Sequence, residues 1–290
     1  MIRLGLIGYP LGHSLSPVIH SAALQACGLE GSYSLFPIHP DDKEGLRELL
    51  DRVRDGEITG FNVTIPHKQN VIEFLDELTP TAQAIGAVNT IYVRDNRLIG
   101  ENTDAPGFLA DLKRTLQLSH EALRLPRSAL VLGAGGSARA IVYALVNDGW
   151  NVYLAARRIE QAHQLADSFT NYRLPITVSS LPNSETTFTN LQSQISLIIN
   201  TTPLGMTPNI DESPWPENLP FPPHAAIYDL VYNPRETRLV REARLQGRNA
   251  TTGLGMLIEQ AALAFKIWTG QNASREVLRA SVAESTVSNF

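Results

Sequence analysis

One stretch of the sequence decides the fold: Ser128-Ala129-Leu130-Val131-Leu132-Gly133-Ala134-Gly135-Gly136-Ser137-Ala138. The apolar run Ser128–Leu132 predicts a strand, and a helix is expected over Ala138–Asn147. The glycines between them fit the pattern G-x-G-x-x-G/A, with Ala138 in the last place. In that pattern Gly133 permits a tight turn, Gly135 lets backbone N–H groups approach a pyrophosphate, and the small Ala138 lets the helix pack against the strand.

The N-terminus of that helix would add a partial positive charge that favours phosphate groups. Glycine turns between a strand and a helix are common in α/β proteins, so the pattern alone is weak evidence. Here the strand and the helix stand on either side of the turn, as a dinucleotide site requires. The stretch therefore predicts that the second half of the chain binds a dinucleotide.

The end of the next predicted strand, Asn151–Ala155, indicates which dinucleotide is bound. NAD sites place an acidic residue there to bind the ribose 2′-hydroxyl, whereas this chain reads Ala156-Arg157-Arg158. Two guanidinium groups suit a 2′-phosphate, which they bind through charge and bidentate hydrogen bonds. A solvated basic helix start is the alternative, but cations at a helix N-terminus are mildly unfavourable. The sequence therefore favours NADP.

Strands alternate with helices on both sides of this stretch. After it come a helix through Ala162 and Leu165 and strands at Ile195–Ile199 and Ala225–Val231. Before it, in chain order, we expect a strand (Ile2–Ile7), a helix opened by Ser16-Pro17, a strand (Ser32–Ile38), a helix (Glu44–Arg54), a strand (Ile58–Ile65), a helix through Val71–Leu78 and a hairpin (Ala87–Val93 and Arg97–Gly100). This alternation predicts parallel sheets and an α/β fold.

Three segments fall outside that alternation. A helix near Ala105–Leu118 is expected to link the two halves, and the polar segment Ser119–Arg127 to connect them. The stretch Pro203–Pro223 holds seven prolines and is expected to be a long loop or lid.

Length and composition exclude several classes of protein. At about 150 residues per domain, 290 residues predict two domains. The chain is 43% hydrophobic and 18% charged, which argues against disorder and coiled coil. The single cysteine, Cys27, excludes an intrachain disulfide and a multi-cysteine metal site, and we expect no metal. The net charge of −5 argues against nucleic-acid binding.

The sequence also bears on where the protein works. No apolar run approaches the roughly 20 residues that cross a bilayer. The apolar N-terminal stretch through Gly8 is too short for a signal peptide and predicts a first strand. We therefore expect a cytoplasmic protein that binds neither membrane nor nucleic acid and is a monomer or homodimer.

Four polar clusters stand at predicted strand ends in the first half. They are Ser14-Leu15-Ser16-Pro17, Asn62-Val63-Thr64-Ile65-Pro66-His67-Lys68, Gly86-Ala87-Val88-Asn89-Thr90 and Asn102-Thr103-Asp104. Ligands of open α/β sheets bind beyond the carboxyl ends of the strands. The mixture of hydroxyls, amides, one ammonium and one carboxylate suits a small polyhydroxylated acid.

Each cluster also has a purely structural interpretation. Ser16 could cap its helix, Asp104 could cap the helix that follows it, and the asparagines could be turn residues. Lys68 could be a solvated surface charge. Any one cluster could be explained by structure alone. A purely structural explanation of all four clusters, beside a dinucleotide site, is much weaker.

Together these motifs resemble the shikimate dehydrogenase family of NADP-dependent enzymes of chorismate and aromatic amino-acid biosynthesis. The second half adds Asn200-Thr201-Thr202-Pro203-Leu204-Gly205-Met206 and Gly253-Leu254-Gly255-Met256-Leu257-Ile258-Glu259-Gln260-Ala261-Ala262. The resemblance covers nearly the whole chain. It implies a substrate-binding α/β domain over residues 1–105, completed by C-terminal helices within 254–290 that return to it. It also implies a Rossmann-type NADP domain over 106–253, with substrate in the cleft between the two.

The resemblance also implies roles for individual residues. Lys68 and Asp104 would be the catalytic pair. The substrate would be bound by Ser14 and Ser16 through its carboxylate, and by Thr64, Asn89, Tyr232 and Gln260. The cofactor would be bound by Gly133, Ala134, Gly135, Gly136, Ser137, Ala156, Arg157, Arg158, Leu230 and Gly253. The chain departs from the family's usual Asn-Arg-Thr at Ala156-Arg157-Arg158, where Arg157 keeps the matching arginine.

The implied reaction is the reversible NADPH-dependent reduction of 3-dehydroshikimate to shikimate, in which negative charge grows on the carbonyl oxygen. Lys68 can supply charge and a proton to that oxygen, and Asp104 can hold the ammonium and share the proton. Two alternatives remain at this point: a quinate/shikimate dehydrogenase that prefers NAD, and a non-catalytic NADP-binding sensor. The absence of an acidic residue beside Arg157 argues against the first, and the Lys68–Asp104 pair argues against the second.

Overall fold

A computed structural model describes residues 1–12, 14–115, 127–169, 176–180, 193–217 and 219–285. The chain forms two compact units. Unit 1 comprises Met1–Gly107 and Leu257–Phe290, and unit 2 comprises Phe108–Met256. The chain therefore leaves unit 1 once and returns to it near the C-terminus. The division expected from the sequence lies at 105/106 and 253/254.

A six-stranded sheet forms the centre of unit 1. Its strands are β1 (Ile2–Gly8), β2 (Gly31–Pro37), β3 (Gly60–Val63), β4 (Glu77–Leu78), β5 (Thr90–Arg94) and β6 (Arg97–Glu101). They lie in the order β2-β1-β3-β5-β6-β4, and β5 runs antiparallel to both of its neighbours. The hairpin that joins β5 to β6 is confirmed. Asp95 and Asn96 both take positive φ, which suits the right-handed twist of a two-residue hairpin.

Helices cover this sheet. They are α1 (Ser16–Ala26), α2 (Lys43–Arg54), α3 (His67–Asn70), α4 (Pro80–Ile85), the first turn of α5 (Asp104–Thr115), most of α9 (Leu254–Thr269) and α10 (Arg275–Ser285). The apolar face expected for α2 is buried in the core, at Leu46, Leu49, Leu50 and Val53. Trp268 of α9 donates its indole N–H to the Ile91 carbonyl at 2.9 Å, so this helix packs on the unit 1 sheet.

The helix expected over Val71–Leu78 is wrong. Helix α3 starts earlier, at His67, and a 3₁₀ helix follows over Val71–Phe74 before the chain becomes extended. Hydrogen bonds of Asp76 explain why the chain becomes extended. Its N–H donates to the Leu98 carbonyl, and its carboxylate accepts from the Leu98 N–H. Asp76 immediately precedes β4, so these bonds extend the pairing of β4 with β6. Val71 is buried in the core, and the other apolar residues of the segment pack against it partly buried, without the expected α-helix.

The proposed capping role of Ser16 is also wrong. Ser16 is the first residue of α1, and the preceding position, Leu15, makes no side-chain capping bond. The hydroxyl of Ser14 instead accepts a hydrogen bond from the Ser16 N–H at 3.3 Å. The backbone N–H of Ser16, at the start of the helix, is therefore satisfied by the serine two residues earlier.

Unit 2 contains an all-parallel sheet in the order β12-β11-β10-β7-β8-β9. Its strands are β7 (Ser128–Leu132), β8 (Asn151–Ala156), β9 (Ile176–Ser180), β10 (Leu197–Asn200), β11 (Ala226–Asp229) and β12 (Ala250–Thr252). The described helices between strands are α6 (Gly136–Asn147), α7 (Ile159–Asp167) and α8 (Arg238–Leu245). The strand order reverses beside β7, and ligands of such sheets bind at this point. The expected α/β fold with a Rossmann-type unit is confirmed.

The proline-rich segment Pro203–Pro223 has no helix or strand among its described residues, as expected. Interpreting it as a lid is wrong for its second half. Trp215 and Phe221 stack with ring centroids 5.0 Å apart and belong to the core beside β7 and β10. The Trp215 indole N–H also donates to the Leu219 carbonyl at 2.9 Å. Two buried aromatic rings therefore anchor this part of the loop.

The predicted inter-domain connection at 119–127, and the predicted end of the linking helix beyond Thr115, lie outside the described residues except for Arg127. Within the described ranges, no helix combines the length and the apolar character needed to span a bilayer.

Candidate active site and dinucleotide site

Lys68 and Asp104 form an ion pair in unit 1. Lys68 Nζ lies 2.7 Å from Asp104 Oδ2, and the two side chains are only 13% and 6% exposed. Lys68 lies in the short helix α3, and Asp104 is the first residue of α5. Burial weakens the screening of the charges by water, so this pair interacts more strongly than a surface pair. The interpretation of Lys68 as a solvated surface charge is wrong.

Asn89 holds the other oxygen of the same carboxylate. Its side-chain nitrogen donates to Asp104 Oδ1 at 2.9 Å, and its oxygen accepts from the Thr103 N–H at 2.7 Å. The same nitrogen lies 3.3 Å from Oε1 of Gln260, a residue 171 positions away in the chain. The structure therefore brings together four residues that the resemblance assigned to the active site.

Asn102 connects the two members of the ion pair through the backbone. Its side-chain oxygen accepts from the N–H groups of Asp104 and Ala105, at 3.1 and 3.2 Å, so it caps α5. Its side-chain nitrogen donates to the Ala87 carbonyl at 2.9 Å. The next residue, Val88, donates its N–H to the Lys68 carbonyl at 2.7 Å.

The capping role of Asn102 replaces the one considered for Asp104. Asp104 already belongs to the helix, and its carboxylate is directed to Lys68 and Asn89 instead. The sequence signal was available, since asparagine is a preferred capping residue and Asn102 stands two residues before the helix.

Ser14, Ser16 and Thr64 follow the neighbouring parallel strands β1 and β3. Ile7 stands opposite Val63 in the register of these strands, and the Thr64 N–H donates to the Ile7 carbonyl at 2.9 Å. Ser14 and Thr64 are half-buried, and Ser16 is buried. Because Thr64 directly follows β3 and the carboxyl ends of parallel strands meet at one edge of a sheet, Thr64 lies at the edge at which ligands bind.

The glycine-rich turn in unit 2 has the features that the sequence predicted for a dinucleotide. Gly133 takes a φ of +112°, a conformation that side chains rarely adopt. Ala138 is fully buried where α6 packs. Gly135 precedes α6, makes no side-chain capping bond, and has open space where a Cβ would be. The first N–H groups of this helix can therefore meet a phosphate.

The remaining residues expected from the family in this turn, Ala134, Gly136 and Ser137, lie in the loop and the first turn of α6. At the end of β8, Ala156 is buried, whereas Arg157 and Arg158 are exposed. Among the described residues, no carboxylate forms an ion pair with either guanidinium. This leaves both charges available to an anion such as a 2′-phosphate.

Leu230 and Gly253 are in direct contact in unit 2. A Cβ on Gly253 would lie 2.2 Å from the Leu230 carbonyl oxygen, so only glycine allows this approach. The Gly253 N–H also donates to the Val231 carbonyl at 3.2 Å. Tyr232, assigned to the substrate from the resemblance, follows in unit 2 and is half-buried.

Comparisons with known proteins match this chain to one family. Residues 6–91 match the family model described as the shikimate dehydrogenase substrate binding domain. Residues 253–283 match the shikimate 5′-dehydrogenase C-terminal domain. Two curated relatives are named shikimate dehydrogenase (NADP(+)). The one from Desulforamulus reducens is 38% identical over 277 residues, which cover 95% of this chain and 92% of the relative. The one from Methanocaldococcus jannaschii is 39% identical over 285 residues, which cover 97% and 96%.

A solved structure agrees with these sequence matches. The crystal structure of shikimate 5-dehydrogenase from Thermus thermophilus, in complex with NADP(H) and shikimate, has a TM-score of 0.81 and 38% sequence identity to this chain. The match covers 98% of this chain and 99% of that one.

Proposed function

The chain belongs to the shikimate dehydrogenase family, and on that premise we propose that its Lys68–Asp104 pair carries out the proton transfer of the family's reaction. The protein is an NADP-dependent oxidoreductase that interconverts 3-dehydroshikimate and shikimate. One observation carries the residue assignment: the Lys68 ammonium, on a side chain only 13% exposed, lies 2.7 Å from a carboxylate whose other oxygen is held by Asn89.

NADPH supplies the hydride when it is bound, and the residues of unit 2 fit it. The N-terminus of α6, where the capping position is the side-chain-free Gly135, and the open space at Gly135 suit the pyrophosphate. Arg157 and Arg158 would hold the 2′-phosphate, and Leu230 and Gly253 would line the nicotinamide end.

In the reduction, Lys68 Nζ donates a proton to the carbonyl oxygen of 3-dehydroshikimate as negative charge develops there. Asp104 keeps the ammonium in place and shares its proton, so the acid–base work belongs to the pair. In the oxidation, the pair accepts the proton of the shikimate hydroxyl.

The substrate is held by hydroxyl and amide groups. Ser14 and Ser16 bind its carboxylate. The ring hydroxyls and the reacting region are bound by Thr64, Asn89, Gln260 and Tyr232. Asn89 is central to this arrangement, since its amide touches both Asp104 and Gln260. These short polar side chains discriminate well between hydroxylated ligands, because each unmatched buried group would cost binding energy.

The enzyme works in the cytoplasm as a monomer or homodimer, on a small-molecule substrate and without nucleic acid or membrane. The net charge of −5 supports the exclusion of nucleic acid.

The test is a spectrophotometric assay of the purified chain, which follows reduction of NADP with shikimate, then with quinate, and then both substrates with NAD. We expect turnover to be fastest with shikimate and NADP. Faster turnover with quinate and NAD would indicate the quinate-type alternative. NADPH binding without any turnover would indicate a sensor.

A further inference from the structure

Two buried polar side chains meet at the carboxyl ends of adjacent strands in unit 2. Asn200 is the last residue of β10 and Asp229 the last residue of β11, and they stand opposite each other in the parallel register. The Asn200 side-chain nitrogen donates to Asp229 Oδ1 at 2.9 Å. Both residues are completely buried. They lie at the edge of the sheet where dinucleotides bind in this fold.

Asp229 accepts two further hydrogen bonds. The Val231 N–H donates to Oδ1 at 3.0 Å, and the Thr237 hydroxyl donates to Oδ2 at 2.6 Å. Among the described residues, no cation forms an ion pair with this carboxylate, and burial raises the pKa of Asp229 to about 6. Burying a carboxylate without a cation costs free energy. Stability alone therefore does not explain why an acidic residue stands here.

On the β10 side, this network continues to the glycine-rich turn. The Asn200 side-chain oxygen accepts from the N–H and the hydroxyl of Thr202, at 2.9 and 2.7 Å. A Cβ placed on Gly133 would lie 2.6 Å from the Thr201 hydroxyl and 3.0 Å from a Thr202 methyl group. Loop 201–204 therefore packs directly against the turn that is assigned to the pyrophosphate.

On the β11 side, the same carboxylate shapes the turn after the strand. Its bond to the Val231 N–H fixes the backbone next to Leu230. Leu230 packs against Gly253, and the Leu230 N–H donates to the Asn200 carbonyl at 2.9 Å. A single side chain thus holds the two loops that follow β10 and β11.

We propose that Asp229 is a positioning residue for the cofactor, which holds loop 201–204 and the Leu230–Val231 turn in the shape that NADPH requires. The proposal rests on the proposed function, since that assigns the glycine-rich turn and Leu230 to the cofactor site. Asp229 acts through Asn200 and through the backbone of Val231.

The experiment compares three variants with the wild type. Asp229→Ala removes all three hydrogen bonds. Asp229→Asn can keep them, because its carbonyl can accept from Val231 and Asn200 and its amide can donate to the Thr237 hydroxyl. Ser196→Ala is the matched control. Ser196 precedes the opposite end of β10, is buried, and donates its hydroxyl to the Ser128 carbonyl at 3.2 Å.

Two quantities are measured for each variant: the dissociation constant of NADPH by nicotinamide fluorescence, and amide hydrogen exchange at Thr202 and Val231 without cofactor. Asp229→Ala should weaken NADPH binding about tenfold or more and accelerate exchange at both amides. Asp229→Asn should restore most of the affinity, and Ser196→Ala should change neither quantity. A folded Asp229→Ala with wild-type affinity and exchange would overturn the proposal, as would an equal loss of affinity in Ser196→Ala.

If Asp229→Ala does not fold, Thr202→Val tests the same network, because it removes the hydroxyl that donates to Asn200 and accepts from the Leu204 N–H within the same loop. We expect weaker NADPH binding and faster exchange of the backbone amide at position 202, relative to the intrinsic rate of the residue there, and no change in either would overturn the proposal. The exchange measurement separates this proposal from the proposed function. A wild type that binds no NADPH would contradict the cofactor assignment, whereas unchanged exchange in the variants would contradict the role of Asp229.

Discussion

Asn89 donates a hydrogen bond to Asp104 Oδ1, while Lys68 occupies Oδ2 of the same carboxylate. The orientation of Asp104 is thus held from two sides, and the ammonium of Lys68 has a defined position before substrate arrives. Such preorganisation is how an enzyme stabilises charge that appears only in the transition state.

The first prediction concerns Lys68. Because charge develops on the carbonyl oxygen, Lys68→Ala should lower kcat by about 10²–10⁴-fold and leave KM for shikimate nearly unchanged. Steady-state kinetics of NADP reduction measure both constants. Lys43→Ala is the matched control, since Lys43 forms an exposed pair with Glu73 at 2.8 Å in the same unit. Near-normal turnover of Lys68→Ala would show that Lys68 takes no part in the proton transfer.

The second prediction concerns the pair as a unit. Asp104→Asn keeps the shape but loses the negative charge, so it too should reduce kcat. Since both residues serve one proton transfer, the double variant with Lys68→Ala should be little slower than the slower single variant. Effects that simply add in the logarithm of kcat would show that the two act independently. Melting temperatures should accompany these assays, because removing one member leaves a buried charge unpaired.

The third prediction concerns Asn102. Asn102→Ala removes the cap of α5 and the bond to Ala87, so it should lower the free energy of unfolding by about 1 kcal/mol or more. It should also reduce kcat roughly 10–100-fold, because both Asp104 and Lys68 would be displaced. Asp42→Ala is the control, since Asp42 caps α2 through a 2.9 Å bond to the Gly45 N–H. Urea denaturation should show a lower free energy of unfolding in both variants. Steady-state kinetics should show a lower kcat in Asn102→Ala only. Equal kcat values for the two variants would contradict the positioning role.

The fourth prediction concerns the cofactor. Replacing Arg157 and Arg158 by glutamine should raise KM for NADP by about tenfold or more, because charged hydrogen bonds to the 2′-phosphate are lost. KM for NAD, which lacks that phosphate, should change little. Arg241→Gln is the control, because Arg241 is an exposed arginine on α8 of the same unit. An equal effect on the two cofactors would contradict the assignment.

The fifth prediction concerns acid stability. His20 is fully buried and stacks on Tyr33 with ring centroids 4.4 Å apart. Burial lowers the pKa of His20 from 6.5 to about 3. Between these values the unfolded chain binds a proton that the native state does not, so the free energy of unfolding should fall as pH falls from about 6.5 to 3. The slope from this group is about 1.4 kcal/mol per pH unit.

Denaturation at about pH 7 and about pH 5 measures that slope. His20→Phe keeps an aromatic ring at the stack and cannot titrate, so it should lose less stability over this range than the wild type. Identical pH dependence in the two proteins would show that His20 becomes protonated without unfolding.

The sequence by itself determined the features that depend on neighbouring residues. The strand, glycine turn and helix from Ser128 to Asn147 follow from local pattern, because apolar periodicity and the freedom of Gly133 are properties of the chain itself. The same holds for the buried face of α2 and for the Asp95-Asn96 hairpin. The resemblance supplied candidates for the site residue by residue, and the structure brought Lys68, Asn89, Asp104 and Gln260 into one hydrogen-bonded group.

Only the tertiary structure decided the features that depend on distant partners. Asp76 replaced an expected helix with extended chain because its hydrogen-bonding partner, Leu98, lies on β6. The burial of Trp215 and Phe221 makes part of the expected lid a part of the core. The meeting of Asn200 with Asp229, 29 positions apart in the chain, depends on the register of two strands joined by a long loop. Local sequence does not specify such a register, because it is set by which hydrophobic faces pack together when the whole sheet forms.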